Sequence, residues 1–145
     1  MRAAPALTLA GFVLGATVAG RAGTAAAETR RGQGYVIEVV APPVTKLGAT
    51  TTAKVTVRPR AGWKLNTDYP FKLDLAPGAG LRVAKPTLRK QDARAFDEHG
   101  ADVDIVMTAD KIGQADLAAT VKFATCDDAS CEVHKERFTI TATAR

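Results

Sequence analysis

Several things that usually announce a function are missing from this chain. No Ser/His/Asp arrangement, no glycine-rich loop that would cradle a phosphate and no paired-carboxylate signature is present, so nothing supports hydrolysis or phosphoryl transfer. Beyond the first residues there is no second apolar run of the roughly 20 residues that a membrane-spanning helix needs. Helical periodicity is absent too, apart from a short stretch near Arg89–Phe96. The 20 basic residues against 15 acidic ones give a mild net charge of +5, and the cations are scattered along the sequence. Nucleic-acid binding normally draws on a clustered basic face, and none is visible in the order of residues. Internal repeats and low-complexity linkers are lacking. Cysteine is scarce: only Cys126 and Cys131 occur, so one intramolecular pairing is possible.

What is present begins with an export signal. Arg2 and the free amine form a positive start, Leu7 to Ala19 is uncharged and apolar, and Ala25-Ala26-Ala27 offers small residues at both positions that a signal peptidase reads. Cleavage is expected before Glu28. Gly20 and Arg21 interrupt the apolar run well short of a spanning helix, which disfavours an uncleaved anchor. No cysteine sits at the cleavage point, so a lipoprotein is excluded, and Arg30-Arg31 follows the apolar run, so it is not a twin-arginine signal. Removing residues 1–27 takes Arg2 and Arg21 away and leaves 18 basic against 15 acidic residues, a net charge of +3. The remaining residues, 28–145, suffice for one domain with one core. The expected location is periplasmic, an oxidising compartment in which a cysteine pair is normally joined.

The mature part alternates apolar and polar residues with a period of two, the pattern of half-buried strands. Strands are expected over Tyr35–Val40, Ala49–Arg58, Phe71–Leu75, Leu81–Leu88, Ala101–Thr108, Gln114–Cys126 and Cys131–Thr143, after a short polar lead from Glu28 to Gly34. Pro86 marks Leu81–Leu88 as an edge or a break. About seven short strands separated by Gly, Pro and Asn/Asp turns predict an all-β, immunoglobulin-like antiparallel sandwich, with a closed barrel as the alternative.

The unusual constellation is Cys126-Asp127-Asp128-Ala129-Ser130-Cys131. Alternating strands flank it, so it should be a hairpin tip, and four intervening residues is a common hairpin loop length. Cysteines facing each other across the two strands would have Cα atoms about 5 Å apart, within disulfide range. The pair admits three readings. A structural staple would contribute only about 2 kcal/mol for so short a loop. An exchanging redox pair suits a bond that restrains little where another protein can reach it. A metal site would use Cys126, Cys131 and His134 (C-x4-C-x2-H), with Asp127, Asp128 and His99 as further ligands, but the spacing fits no standard zinc pattern. Asp127 and Asp128 place negative charge beside Cys126, which disfavours its thiolate and makes Cys131 the favoured cysteine for the lower pKa, without assigning which of the two attacks. His134 is expected to be a solvated strand residue rather than an acid–base group.

The stretch Thr120–Ile140, containing VKFATCDDASCEVHKERFTI, resembles the end of the amino-terminal periplasmic domain of the membrane thiol:disulfide interchange reductase DsbD family. Upstream, Ala61-Gly62-Trp63-Lys64-Leu65-Asn66 looks like that family's turn after the second strand, and Asp92–Ile105 falls where the family carries a cap loop. The resemblance covers most of residues 35–143, and its specific part is the cysteine hairpin and the Gly62–Asn66 turn. It implies an immunoglobulin-like fold, passage of reducing equivalents through Cys126 and Cys131, and Phe96 as the aromatic cap. The implied partner is a periplasmic thioredoxin-like or other thiol–disulfide protein, with no cofactor and no nucleic acid. Two departures stand out. Glu132-Val133-His134 replaces the aromatic or Leu and prolines usual after the second cysteine, and the chain ends at Arg145 where family members continue into a membrane domain and a thioredoxin-like domain. Electrons are then expected from a separate protein. The competing expectation is a non-catalytic periplasmic interaction domain braced by a hairpin disulfide.

Plainer readings hold elsewhere. Trp63, the sole tryptophan, is expected to anchor the core, Tyr69-Pro70-Phe71 to lead into a strand, and Asp102, Asp104 and Asp110 to form a solvated strand face.

Overall fold

The computed structural model describes residues 26–145. The expected signal, residues 1–27, lies outside that range except for Ala26 and Ala27, and the expected cleavage point before Glu28 falls at the start of the first strand.

Two antiparallel sheets pack face to face as an immunoglobulin-like sandwich. The first sheet runs in the order β1 (Ala27–Gly32), β2 (Tyr35–Val40), β3 (Thr50–Pro59), β9 (Gly100–Ala109) and β6 (Leu81–Val83), with β8 (Ala95–Asp97) also paired to β9. The second runs β11 (Cys131–Ala144), β10 (Gly113–Cys126), β5 (Lys72–Pro77) and β7 (Thr87–Arg89), with β4 (Lys64–Leu65) also paired to β10. Two separate sheets with free edges replace the closed barrel considered as an alternative.

Period-two alternation sets which face is buried. Ile37, Val55, Val57, Val103 and Ile105 point inward from the first sheet, and Leu73, Leu117, Val121, Phe123 and Ile140 meet them from the second. Each side chain of this size buried in full contributes roughly 1.5–3 kcal/mol of transfer free energy. Six of the seven expected strands are present as single strands, and the count rises to eleven among the described residues for identifiable reasons. The polar lead forms a further strand, β1, zipped to β2 from Ala27↔Val40 to Gly32↔Tyr35. Leu81–Leu88 is not one strand. The chain leaves the first sheet after Val83 and joins the second at Thr87, with Pro86 in the crossing, so β6 pairs with β9 and β7 with β5. Arg89–Phe96 holds no regular helix, only a 3-10 turn at Lys90–Asp92 before β8.

Trp63 also departs from expectation. It is half-buried and lies outside the core cluster. Its indole covers Gly34, where the backbone has φ +81° and an added Cβ would meet the ring at 2.5 Å. That position needs glycine for both its left-handed backbone and its lack of a side chain. The carboxylates Asp102, Asp104 and Asp110 lie on the outward face as expected and there take part in ion pairs: Asp102 with Arg58 at 2.6 Å, Asp110 with Arg82 at 2.7 Å and Asp104 with Arg94 at 3.9 Å. Among the described residues no helix is long and apolar enough to cross a membrane.

Candidate functional site

The cysteine hairpin grows out of the longest ladder in the molecule. β10 and β11 pair residue for residue from Gly113↔Ala144 to Cys126↔Cys131. The turn beyond is closed by its own residues: Asp127 N–H donates to the Ser130 carbonyl at 2.9 Å. The Asp127 carboxylate accepts from the Ala129 and Ser130 amides at 2.8 and 2.7 Å. These backbone donors hold the Asp127 carboxyl below the usual carboxylate range. The Asp127 carboxylate thus stays ionised beside Cys126 while serving as the acceptor that organises the turn.

Because Asp127 and Ser130 form the hydrogen-bonded pair, Cys126 and Cys131 occupy the adjacent non-hydrogen-bonded position, where side chains approach most closely. They are joined as a disulfide with Cα atoms 4.0 Å apart, closer than the spacing expected from sequence. Cys131 is exposed and Cys126 half-buried. Alternation puts both sulfurs on the outward side of the second sheet: Phe123 and Thr125 turn into the core, and Cys126 turns away from it. On the other flank of β10, Lys64 of β4 pairs with Cys126, and Leu65 with Thr125.

His134 is not a solvated strand residue. It faces inward, opposite the disulfide, with ring centroids 4.4 Å from Tyr35 and 5.1 Å from Phe123. Its Nε2 shares a 2.7 Å hydrogen bond with the Thr125 hydroxyl. Burial is the main influence on its pKa and lowers it, against the raising effect of Glu132 and Glu136. Nearby, the Tyr35 hydroxyl donates to Glu136. Burial, then that bond and its charge, push the phenol far above its usual range. Since His134 and the cysteines lie on opposite faces of one sheet, the C-x4-C-x2-H segment does not converge on a common point, and the metal reading loses its geometry. Lys135 shares the cysteine face.

Phe96 lies on β8, half-buried, its ring meeting Phe71 edge-on at 5.5 Å. Its hairpin reaches the cysteine strand through β4. Leu65 N–H donates to the Glu98 carbonyl at 2.9 Å, and Lys64 Nζ lies 3.6 Å from Glu98. Sequence reasoning placed the cysteines and the turn but missed Lys64, Leu65 and Thr125 as their neighbours. A two-residue strand carries no periodicity by which to find it.

No family model matches the chain, and no curated protein does either. Among solved structures, the GAE domain of GGA2p from Saccharomyces cerevisiae superposes with TM-score 0.47 at 7% identity, over 79% of this chain and 97% of that one. The major subunit AggA of the type I aggregative adherence fimbriae of Escherichia coli gives 0.40 at 10% identity, over 84% and 97%. A PapD-like domain of human CEP192 gives 0.36 at 12%, over 97% and 98%. None of these descriptions names a thiol–disulfide protein.

Proposed function

We propose that the domain is a periplasmic thiol–disulfide exchange module, passing reducing equivalents through Cys126 and Cys131 to or from a thioredoxin-like or other thiol–disulfide protein. The observation that carries this reading is the position of the bridge: at a hairpin tip, on the solvent side of its sheet, with Cys131 exposed. The structural need for it is small. A fourteen-residue strand ladder already fixes the register of β10 and β11, and Asp127 already closes the turn. The resemblance of the hairpin to the DsbD amino-terminal domain, and the export signal, point the same way.

In the reaction, a partner thiolate attacks Sγ of Cys131, the more exposed sulfur. The Cys126–Cys131 bond breaks and Cys126 leaves as a thiolate. A second partner thiol, as thiolate, then attacks the partner's own sulfur in the mixed disulfide and releases Cys131. The partner dithiol is oxidised to a disulfide and the domain's disulfide is reduced to a dithiol, two electrons having moved. Run in reverse, the reduced domain hands the pair on. Phe96, whose ring packs on the core against Phe71, acts on access indirectly, through the link between Glu98 of its hairpin and β4.

Equilibration of the purified protein in glutathione buffers tests the reading. A potential in the range of exchange proteins supports it, whereas one below about −300 mV marks a structural bridge and overturns it.

A further inference from the structure

The cations scattered through the sequence are gathered by strand register. Arg89 pairs with Lys72, Lys72 with Lys122, and Lys122 with Lys135, so four basic side chains stand in one row across β7, β5, β10 and β11. All four occupy outward positions: the residues that alternate with them, Leu88, Leu73, Val121 and Phe123, are buried, and Lys135 alternates with the inward-facing His134. With strands spaced about 4.8 Å apart the row spans about 14 Å. The absence of a clustered basic face, read from residue order, is thereby corrected.

Like charges directly opposite each other on a sheet are unfavourable. On the first sheet Arg58 and Arg82 are each ion-paired with an aspartate, as is Arg94 just before β8. The row is paired only in part. Lys72 has Asp74 at 3.1 Å, but among the described residues Arg89, Lys122 and Lys135 have no acid within ion-pair distance. The row lies on the same face as the disulfide. Cys131, Val133 and Lys135 alternate outward along β11, which puts the row about 13 Å from the exposed sulfur. Val133, 62% exposed, stands between them.

We propose that this outward face is the docking surface for an acidic protein partner, the cation row and Val133 seating it so that its thiol meets Cys131. The proposal rests on the exchange reading and adds to it the chemistry of the partner. A protein is favoured over a nucleic acid because the face offers a reactive disulfide and an apolar residue beside its cations, and these rows present no aromatic ring on which bases would stack.

The test compares two short cysteine peptides that differ only in flanking Glu or Lys residues, as reductants of the oxidised protein. Uncharged dithiothreitol serves as reference. At about 0.02 M salt the Glu peptide should react on the order of tenfold faster than the Lys peptide, a steering effect. At about 0.5 M salt the ratio should approach one, as screening shortens the reach of the charges. The double variant Lys122→Gln, Lys135→Gln should lose the preference at low salt while its dithiothreitol rate is unchanged. Asp127 and Asp128 oppose an acidic peptide, so loss of the preference in this variant assigns it to the row. Equal rates, or faster reaction of the Lys peptide, overturn the docking proposal and leave exchange standing. Failure of exchange is read separately, from the potential in glutathione buffers. In that case a serine version of the Glu peptide still reports on the face: binding that the double variant abolishes upholds it, and no binding overturns it. A single-stranded oligonucleotide that outcompetes the serine peptide through the same lysines also overturns it, in favour of a nucleic-acid polyanion.

Discussion

Thr125 and His134 share a hydrogen bond of 2.7 Å on the inner side of the hairpin whose outer side carries the disulfide. Thr125 is fully buried and its hydroxyl has this partner, and burial of the ring favours the neutral imidazole in the folded state. Burial lowers the His134 pKa, whereas the unfolded chain takes up a proton near the ordinary value of about 6.5. The unfolded state then binds more protons as pH falls through that value, so the contribution is present above it and lost progressively below it. Thermal unfolding should show stability falling between about pH 7 and pH 5. His134→Gln should flatten that dependence. An unchanged slope in the variant would remove His134 as its source.

The buried half of this hairpin was legible in the sequence and its surroundings were not. Val121 and Phe123 announced their inward face by alternation, and two cysteines with four residues between them, flanked by alternating strands, announced a facing pair. His134 misled because a lone histidine among Glu132, Lys135 and Glu136 reads as a solvated face, although its position opposite Phe123 turns it inward. The cation row was invisible for a deeper reason. Residues 72, 89, 122 and 135 become neighbours only through the register of three strand pairings, which no local pattern encodes. Of the two meanings that Pro86 carries in the sequence, an edge or a break, the structure has the break, and the transfer of the chain from one sheet to the other there depends on which strands flank it.

Replacing both cysteines by serine should leave the fold intact. The loop closed by the bridge is short, and chain entropy assigns it about 2 kcal/mol. For a domain of this size that corresponds to a fall in Tm of roughly 5–10 °C. Phe123→Ala, at a fully buried site against Tyr35, should cost more, about 3–5 kcal/mol. Far-UV circular dichroism and thermal melts of the two variants give the comparison. Global unfolding of the serine variant would mean that the hairpin does not hold itself together.

Asp127 organises the turn through two amide donors, so Asp127→Ala should slow reclosure of the bridge after reduction, while Asp127→Asn, which keeps an acceptor, should come closer to the parent rate. Its depressed carboxyl pKa adds a pH signature. The turn keeps its contribution above the ordinary aspartate value of about 3.9 and loses it as pH falls through the lower folded value. Hydrogen exchange of the Ala129 and Ser130 amides reads this directly, and equal protection in parent and Asp127→Ala would refute it.

Phe96 meets Phe71 across 5.5 Å, and its hairpin is tied to β4 by the Leu65–Glu98 hydrogen bond. Phe96→Ala removes that edge contact and loosens the hairpin beside the cysteines. Reduction of the disulfide by dithiothreitol should accelerate several-fold in the variant, with its equilibrium potential unchanged, because a gate alters rates and not end states. A potential that shifts with an unchanged rate would assign Phe96 to the stability of one redox state instead.

Lys122 stands between Lys72 and Lys135, so the row should cost stability as well as serve docking. Each unfavourable cross-strand pair is worth roughly 0.2–1 kcal/mol. Lys122→Gln removes two of them and should therefore raise Tm at low salt, in the opposite direction from most substitutions. Part of the gain is offset by Asp74, whose carboxyl is raised by burial but held below its usual range by the Lys72 and Thr87 bonds and by the Lys72 and Lys122 charges. Added salt screens repulsion and attraction alike, so the gain should fade towards about 1 M. A lower Tm at low salt would show that Lys122 is held by favourable contacts, and the row would then need no functional explanation.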